Sequence, residues 1–358
     1  MIKISLRDTI FTEAEKTFLD WDGLKVSLFS YETGIRAARL ENREGQATIL
    51  PFRGQQLWDV SFHGRQLRMN SLYDAPRVAD HFLDTYGCFM MHCGALKMGC
   101  PGPEDDHPLH GELPYARYDD AWIVAGEDEG GRYIGVSGSF EYNRAFSDAY
   151  VARPCVTLYE GSTVLDIDMH IDNISNYPME LMYMCHINFL PVIGGRIVQS
   201  ADWSPEAMVL RTSIPEHLRV SRNFLDFLEK LKKDPGLTET IREEDEYNPE
   251  ICFFIESPKV DSEGWSHYLQ VHPDGSADYV AYIPEELDRN TRWIVRTKNQ
   301  EALGIALPAT CDPEGYTAEK KKGHLKTIDG GGEVSFHIKT GYLDKSQAVG
   351  MEKKIQSL

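Results

Sequence analysis

Apolar and polar positions alternate along most of this chain. Val164–Ile171 sets Leu165, Ile167, Met169 and Ile171 against Val164, Asp166, Asp168 and His170. That is the two-residue period of a strand with one face buried. The same reading gives strands at Gly34–Leu40, Ala47–Pro51, Gln56–Phe62, Trp122–Ala125, Tyr133–Tyr142, Ala149–Leu158 and Met179–Leu190. Later strands are expected at Ile251–Glu256, His267–His272, Ala277–Ile283, Arg292–Val295, Leu303–Leu307 and Val334–Tyr342. His63-Gly64 and Asp274-Gly275 mark hairpin turns. Helical spacing is clear at Ser221–Leu231, where Phe224, Leu225, Leu228 and Leu231 form one stripe. Ser221 suits its N-cap, and Pro235-Gly236 follows as a stop. Asp74–Phe82 reads as a short helix with Pro76 in its first turn. Strands recurring at short intervals between turn signals predict an all-β sandwich or barrel with a few short helices.

No Gly-, Ser- or Pro-rich linker divides the 358 residues, so one domain over 1–358 is expected. Within it, residues 1–85 supply N-terminal strands and a hairpin, and 345–358 form a polar tail expected to fray. A net charge of −19 repels nucleic-acid phosphates and anionic lipid, which removes both as partners but leaves neutral sugars. No apolar run approaches the roughly 18 residues of a membrane span. The N-terminus lacks the basic-then-apolar plan of a signal peptide. Seven scattered cysteines without a Cys-x-x-Cys pair fit a reducing cytoplasm better than a disulfide framework or a zinc ribbon.

Two stretches carry candidate chemistry. In Met179–Leu190 the side holding Glu180, Met182 and Met184 turns polar at His186 and Asn188, which project together. Such a pair can grip and protonate a hydroxylated ligand, or be a buried histidine bonded to an amide for structural reasons. The second stretch is the loop Cys100–Pro114, rich in proline and acids, which ends in His110-Gly111-Glu112. Long irregular loops often bind ligands; an exposed loop histidine is the other reading of His110.

In order and spacing, these passages resemble the galactose mutarotase (aldose 1-epimerase) superfamily, and most of all its divergent mutarotase-related branch. Leu109-His110-Gly111 is similar to that family's Leu-His-Gly-Gly loop. Thr163–Leu190, with Asn173-Ile-Ser-Asn and Cys185-His186-Ile-Asn188-Phe189, resembles its strand, polar turn and His-x-x-Phe strand. Ala302–Leu307 before Cys311-Asp-Pro-Glu-Gly-Tyr resembles its late strand. The resemblance covers most of the chain from Gly87 onward and implies a galactose mutarotase-like supersandwich with a sugar cleft. It also implies ring opening and reclosure of an aldose by an acid and a base, with no cofactor and no metal. It puts His186 in the acid position, suited by a side chain that titrates near neutral pH, and gives His110 an orienting role.

The chain departs from that pattern in three places. Pro308 stands where the family has its glutamate base, which leaves Glu314 or Glu112 as the carboxylate. No Asn-Arg pair follows Tyr86-Gly87; His92 and Lys97 are the sizeable polar residues there. Asn248 stands at the family's aspartate. Catalytic candidates are therefore His110, His186 and Glu314. Substrate-binding candidates are Arg53, His92, Glu112, Trp122, Asn188 and Asn248, with Trp203, Trp265 and Trp293 as further rings on which a sugar could stack. The expected activity is an isomerase interconverting anomers or epimers of a sugar or sugar derivative. A non-catalytic carbohydrate-binding protein and a metal-assisted isomerase using His92, His110 and His186 are the competing readings. Nothing in the sequence opposes a homodimer.

Overall fold

A computed structural model describes residues 1–79, 81–214 and 220–358. Among them, two large, mostly antiparallel sheets make the body. In one, nine strands run in the order Ile2–Leu6, Asp120–Asp128, Gly131–Asn143, Ala149–Tyr159, Val164–Asn173, Glu333–Leu343, Ala277–Tyr282, Ser266–Val271 and Arg196–Gln199. The other sheet carries Met179–Ile187 near its middle, hydrogen-bonded to Met90–Ala95 on one side and Glu301–Ala309 on the other. Beyond Glu301–Ala309 lie Arg289–Arg296 and Ile251–Ile255; beyond Met90–Ala95 lie Leu57–Phe62 and the N-terminal strands.

The alternation read at Val164–Asn173 holds residue for residue: Leu165, Ile167, Met169 and Ile171 are buried and the intervening side chains are half-exposed. Met179–Ile187 behaves differently, because both of its faces are covered. Tyr183 points into the sandwich and stacks on Phe336 of the facing sheet, ring centroids 4.8 Å apart. Met184 and His186 point the other way. A strand covered on both sides has apolar residues on both, which is why Met182 and Met184 precede His186.

Among the described residues, three α-helices sit on the periphery. Helix α1, Arg222–Leu231, starts as expected, with Ser221 Oγ accepting the Phe224 amide at 3.0 Å. Helix α2 spans Tyr316–Lys322. The polar tail folds as α3, Lys345–Gln356, rather than fraying. Asp344 and Gln347 close a capping box at its start, and Ala348 and Ile355 bury against Val198, Leu269 and Tyr279. The helix expected at Asp74–Phe82 is irregular through Ala79, with one short 3-10 turn at Phe82–Asp84. Asp80 lies outside the described residues. Strands at Ile2–Leu6, Lys16–Trp21 and Leu24–Ser30 add to the expected set. No helix among the described residues is long and apolar enough to cross a membrane.

Candidate functional site

A cavity of about 410 Å³ opens on the outer side of the strand carrying His186. Its wall draws on distant segments: Phe82 and Tyr86, Leu109 and His110, Met184 and His186, Arg211, Asn248 to Glu250, and Thr291 and Trp293. Two histidines far apart in sequence meet here. The rings of His110 and His186 lie 5.3 Å apart, edge to face. Phe82 lies 4.7 Å from the His110 ring, and Trp293 lies 5.4 Å from the His186 ring.

Backbone contacts fix the His110 loop. The His110 amide donates to Gly99 O at 2.9 Å, and its carbonyl accepts from Gly94 N at 3.0 Å. His110 and Gly111 both take positive φ, 60° and 82°. A Cβ on Gly111 would collide with the Lys97 carbonyl oxygen. The glycine therefore serves close packing of two backbones rather than approach to a ligand.

Burial determines the charge state of both imidazoles. It lowers His186 to about 4 and His110 well below the ordinary histidine value, the latter helped by the neighbouring His186 and Arg211. Both rings are neutral at neutral pH. Nδ1 of each is buried with no hydrogen-bond partner among the described residues. The expected acid at position 186 thus rests as a neutral ring, and its protonated form is a minor species.

The cavity also holds an ion pair that the sequence reading missed. Glu250 Oε1 lies 3.4 Å from Arg211 Nη2. Glu250 Oε2 accepts the Trp293 indole N–H at 2.7 Å. Arg211 Nε donates to Ser213 O at 3.2 Å, and its amide bonds Cys252 O at 2.8 Å. Glu250 stands immediately before the wholly buried strand Ile251–Ile255. A carboxylate next to an apolar strand is the signal the sequence carries for it; Asn248, the candidate two residues earlier, also lines the cavity.

The other candidates are dispersed. Pro313 lines the cavity while Glu314 bonds Lys322 Nζ at 2.7 Å and Ser213 Oγ at 3.2 Å, so its carboxylate is engaged outside the lining. Asn188 lies behind the wall: its Oδ1 accepts the Tyr86 hydroxyl at 2.8 Å and its Nδ2 donates to Cys88 O at 3.1 Å. His92 faces the sandwich interior, with Nδ1 2.8 Å from the Tyr183 hydroxyl. Arg53 donates to Ala79 O and lies over the Tyr115 ring. Trp122 is on the nine-stranded sheet, covered by Lys3. Glu112 faces a different cleft, with Oε1 accepting from the Ala95 and Leu96 amides and the Tyr150 hydroxyl. Pro308 pairs with Asn290 on the neighbouring strand.

Two groups among the described residues have the spacing of a cation site: His170, Asp172 and Glu333, and Asp312, Glu319 and His324. Protein cations already serve both. Arg153 pairs with Asp172, and Lys322 Nζ lies 3.1 Å from Asp312 and 2.7 Å from Glu319. His92, His110 and His186 form no such group, because His92 is on the other face of the sheet.

The two large antiparallel sheets have the fold of a galactose mutarotase-like β-sandwich. A candidate aldose 1-epimerase from Klebsiella pneumoniae superposes with a TM-score of 0.80 at 15% identity, covering 99% of this chain and 95% of that one. A galactose mutarotase-like protein from Clostridium acetobutylicum gives 0.58 at 13% identity, covering 90% and 99%. A galactose mutarotase related enzyme from Lactobacillus acidophilus gives 0.54 at 10%, covering 86% and 98%. Residues 32–207 match the family described as a domain of unknown function (DUF4432). No curated protein matches by sequence.

Proposed function

We propose that the cavity binds a sugar or sugar derivative and interconverts its ring forms by proton transfer at the anomeric centre. The observation that carries this reading is the placing of His110, His186 and the Glu250–Arg211 pair around one cavity of monosaccharide scale. Ring opening removes the proton of the anomeric hydroxyl and delivers one to the ring oxygen; reclosure on the other face reverses both transfers. Glu250 takes the place of the base absent at Pro308 and receives the hydroxyl proton. His186 protonates the ring oxygen through its minor imidazolium form, a stronger acid for being buried. His110 orients the substrate, and Trp293 offers a face for the C–H surface of the sugar while it fixes Glu250. Arg211 holds the carboxylate in place and can donate to a substrate oxygen.

A binding protein without turnover is the second reading, favoured by Pro308 and by the neutrality of both rings. Anomer exchange followed by NMR over a panel of aldoses and sugar acids separates the two. Acceleration that disappears in H186Q supports isomerisation. Saturable binding without acceleration supports the second reading. Neither binding nor acceleration across the panel removes both.

A further inference from the structure

A second cleft, of about 790 Å³, lies across the 97–112 loop from the histidine cavity, and its chemistry is different. Glu112 lines it. Three donors from other residues converge on Glu112 Oε1: the Ala95 amide at 3.0 Å, the Leu96 amide at 3.0 Å and the Tyr150 hydroxyl at 2.7 Å. None of them reaches Oε2. Burial pushes this carboxyl above the usual range.

Four of the charges lining the cleft are paired among themselves. Lys97 Nζ meets Asp106 at 2.5 Å, and Lys320 Nζ meets Glu180 at 2.9 Å. Arg144 and Asp148 add one charge of each sign. A strongly charged ligand would have to break these pairs, whereas a hydroxylated neutral one can share their donors and acceptors. Aromatic surface is present as well. Tyr142 lines the cleft and stacks on Tyr150, centroids 5.3 Å apart and planes 9° apart, so its ring is held at a fixed angle. Between the lining residues Arg144 and Ser147, at the tip of the hairpin, Phe146 is fully exposed with φ 64°. A bulky side chain in the left-handed region is costly, by roughly 1–2 kcal/mol. The fold here holds an uncovered aromatic ring on the hairpin whose Arg144, Ser147 and Asp148 line the cleft.

We propose that this cleft is a second saccharide-binding site, in which Glu112 Oε2 and Tyr142 contact the sugar from below and Phe146 covers a C–H face at the rim. It does not depend on the activity assigned to the first cavity. Glu112 holds the ligand and takes no part in turnover.

Saturation-transfer NMR and calorimetry on the full chain, with neutral mono-, di- and trisaccharides of glucose, galactose and xylose as probes, test this directly. H186Q stops turnover in the first cavity but leaves His110, Glu250, Arg211 and Trp293 there, so Y142A and F146A are also made in the H186Q background to report on the second cleft. At least one saccharide is expected to bind H186Q as tightly as the unaltered protein. Its affinity should fall tenfold or more in Y142A and F146A. F146A carries its change on a fully exposed side chain, so it remains folded and keeps its anomer exchange. The proposal is overturned if no saccharide binds H186Q, or if Y142A and F146A bind within twofold of H186Q. Anomer exchange by the unaltered protein reports on the first cavity alone, so the two sites can fail separately.

Discussion

The Tyr86 hydroxyl donates to Asn188 Oδ1 at 2.8 Å, and the Tyr86 ring stands edge-on to His186, centroids 5.9 Å apart. Asn188 also donates to Cys88 O, so one fully buried amide ties the Tyr86–Cys88 segment to the strand that carries His186. Its contacts reach the cavity wall through Tyr86 and His186.

This tie predicts a coupled pair. N188A leaves the Tyr86 hydroxyl and the Cys88 carbonyl buried without partners and should cost about 1–3 kcal/mol. Y86F removes only the hydroxyl and should cost less. The double variant should be more stable than the sum of the two single effects predicts, by about 1 kcal/mol. Chemical denaturation of the four proteins measures this; strict additivity would break the link.

The backbone of His110, at φ 60°, makes a second prediction. Asparagine tolerates the left-handed region and β-branched residues do not. H110V should therefore be less stable than H110N by at least about 1 kcal/mol, although valine is the more apolar residue at a buried site. Both should lose sugar turnover. Equal melting temperatures would show that the loop relaxes out of this conformation.

The neutral histidines set a pH dependence of stability. His186 is held at about 4 when folded, below its ordinary 6.5, so the unfolded chain takes up the proton more readily. The stability tied to its neutral form is intact above pH 6.5 and is lost as pH falls toward 4, by about 3 kcal/mol in all. Carboxylate titrations are shared with H186Q and cancel in the comparison. The unfolding free energy of H186Q should fall less steeply over this window than that of the unaltered protein. Turnover moves the opposite way: as the acid form of His186 becomes populated, kcat/KM should rise as pH is lowered from 8 toward 5.

Glu250 and Glu314 should separate cleanly. E250Q keeps an acceptor for the Trp293 indole but loses the carboxylate, and should slow anomer exchange by about 10²–10⁴-fold with little loss of fold. E314Q weakens a contact with Lys322 and should leave exchange within a few fold. An E314Q protein as impaired as E250Q would return the base to position 314.

Strand positions, the face each presents and the start of α1 were legible along the chain because they depend on local period and capping, which neighbouring residues write directly. The second face of Met179–Ile187 was not, since covered strands lose their alternation. The helix of the tail is hidden in the sequence because α3 is polar over much of its length, and its order comes from a cap and from Ala348 and Ile355 docking on the nine-stranded sheet.

The amino-acid order by itself determined an all-β sandwich and singled out His110 and His186, which the fold brings to one cavity. Which carboxylate joins them was decided only when the sheet formed. Glu250 and Arg211 stand at the ends of two strands and Trp293 within a third, and Glu112 and Glu314 lie close to the candidate residues in sequence yet point into other spaces. Proximity along the backbone fixes neither the direction of a side chain nor its burial. Both follow from strand pairing and from which neighbours exclude water, and those are properties of the folded molecule alone.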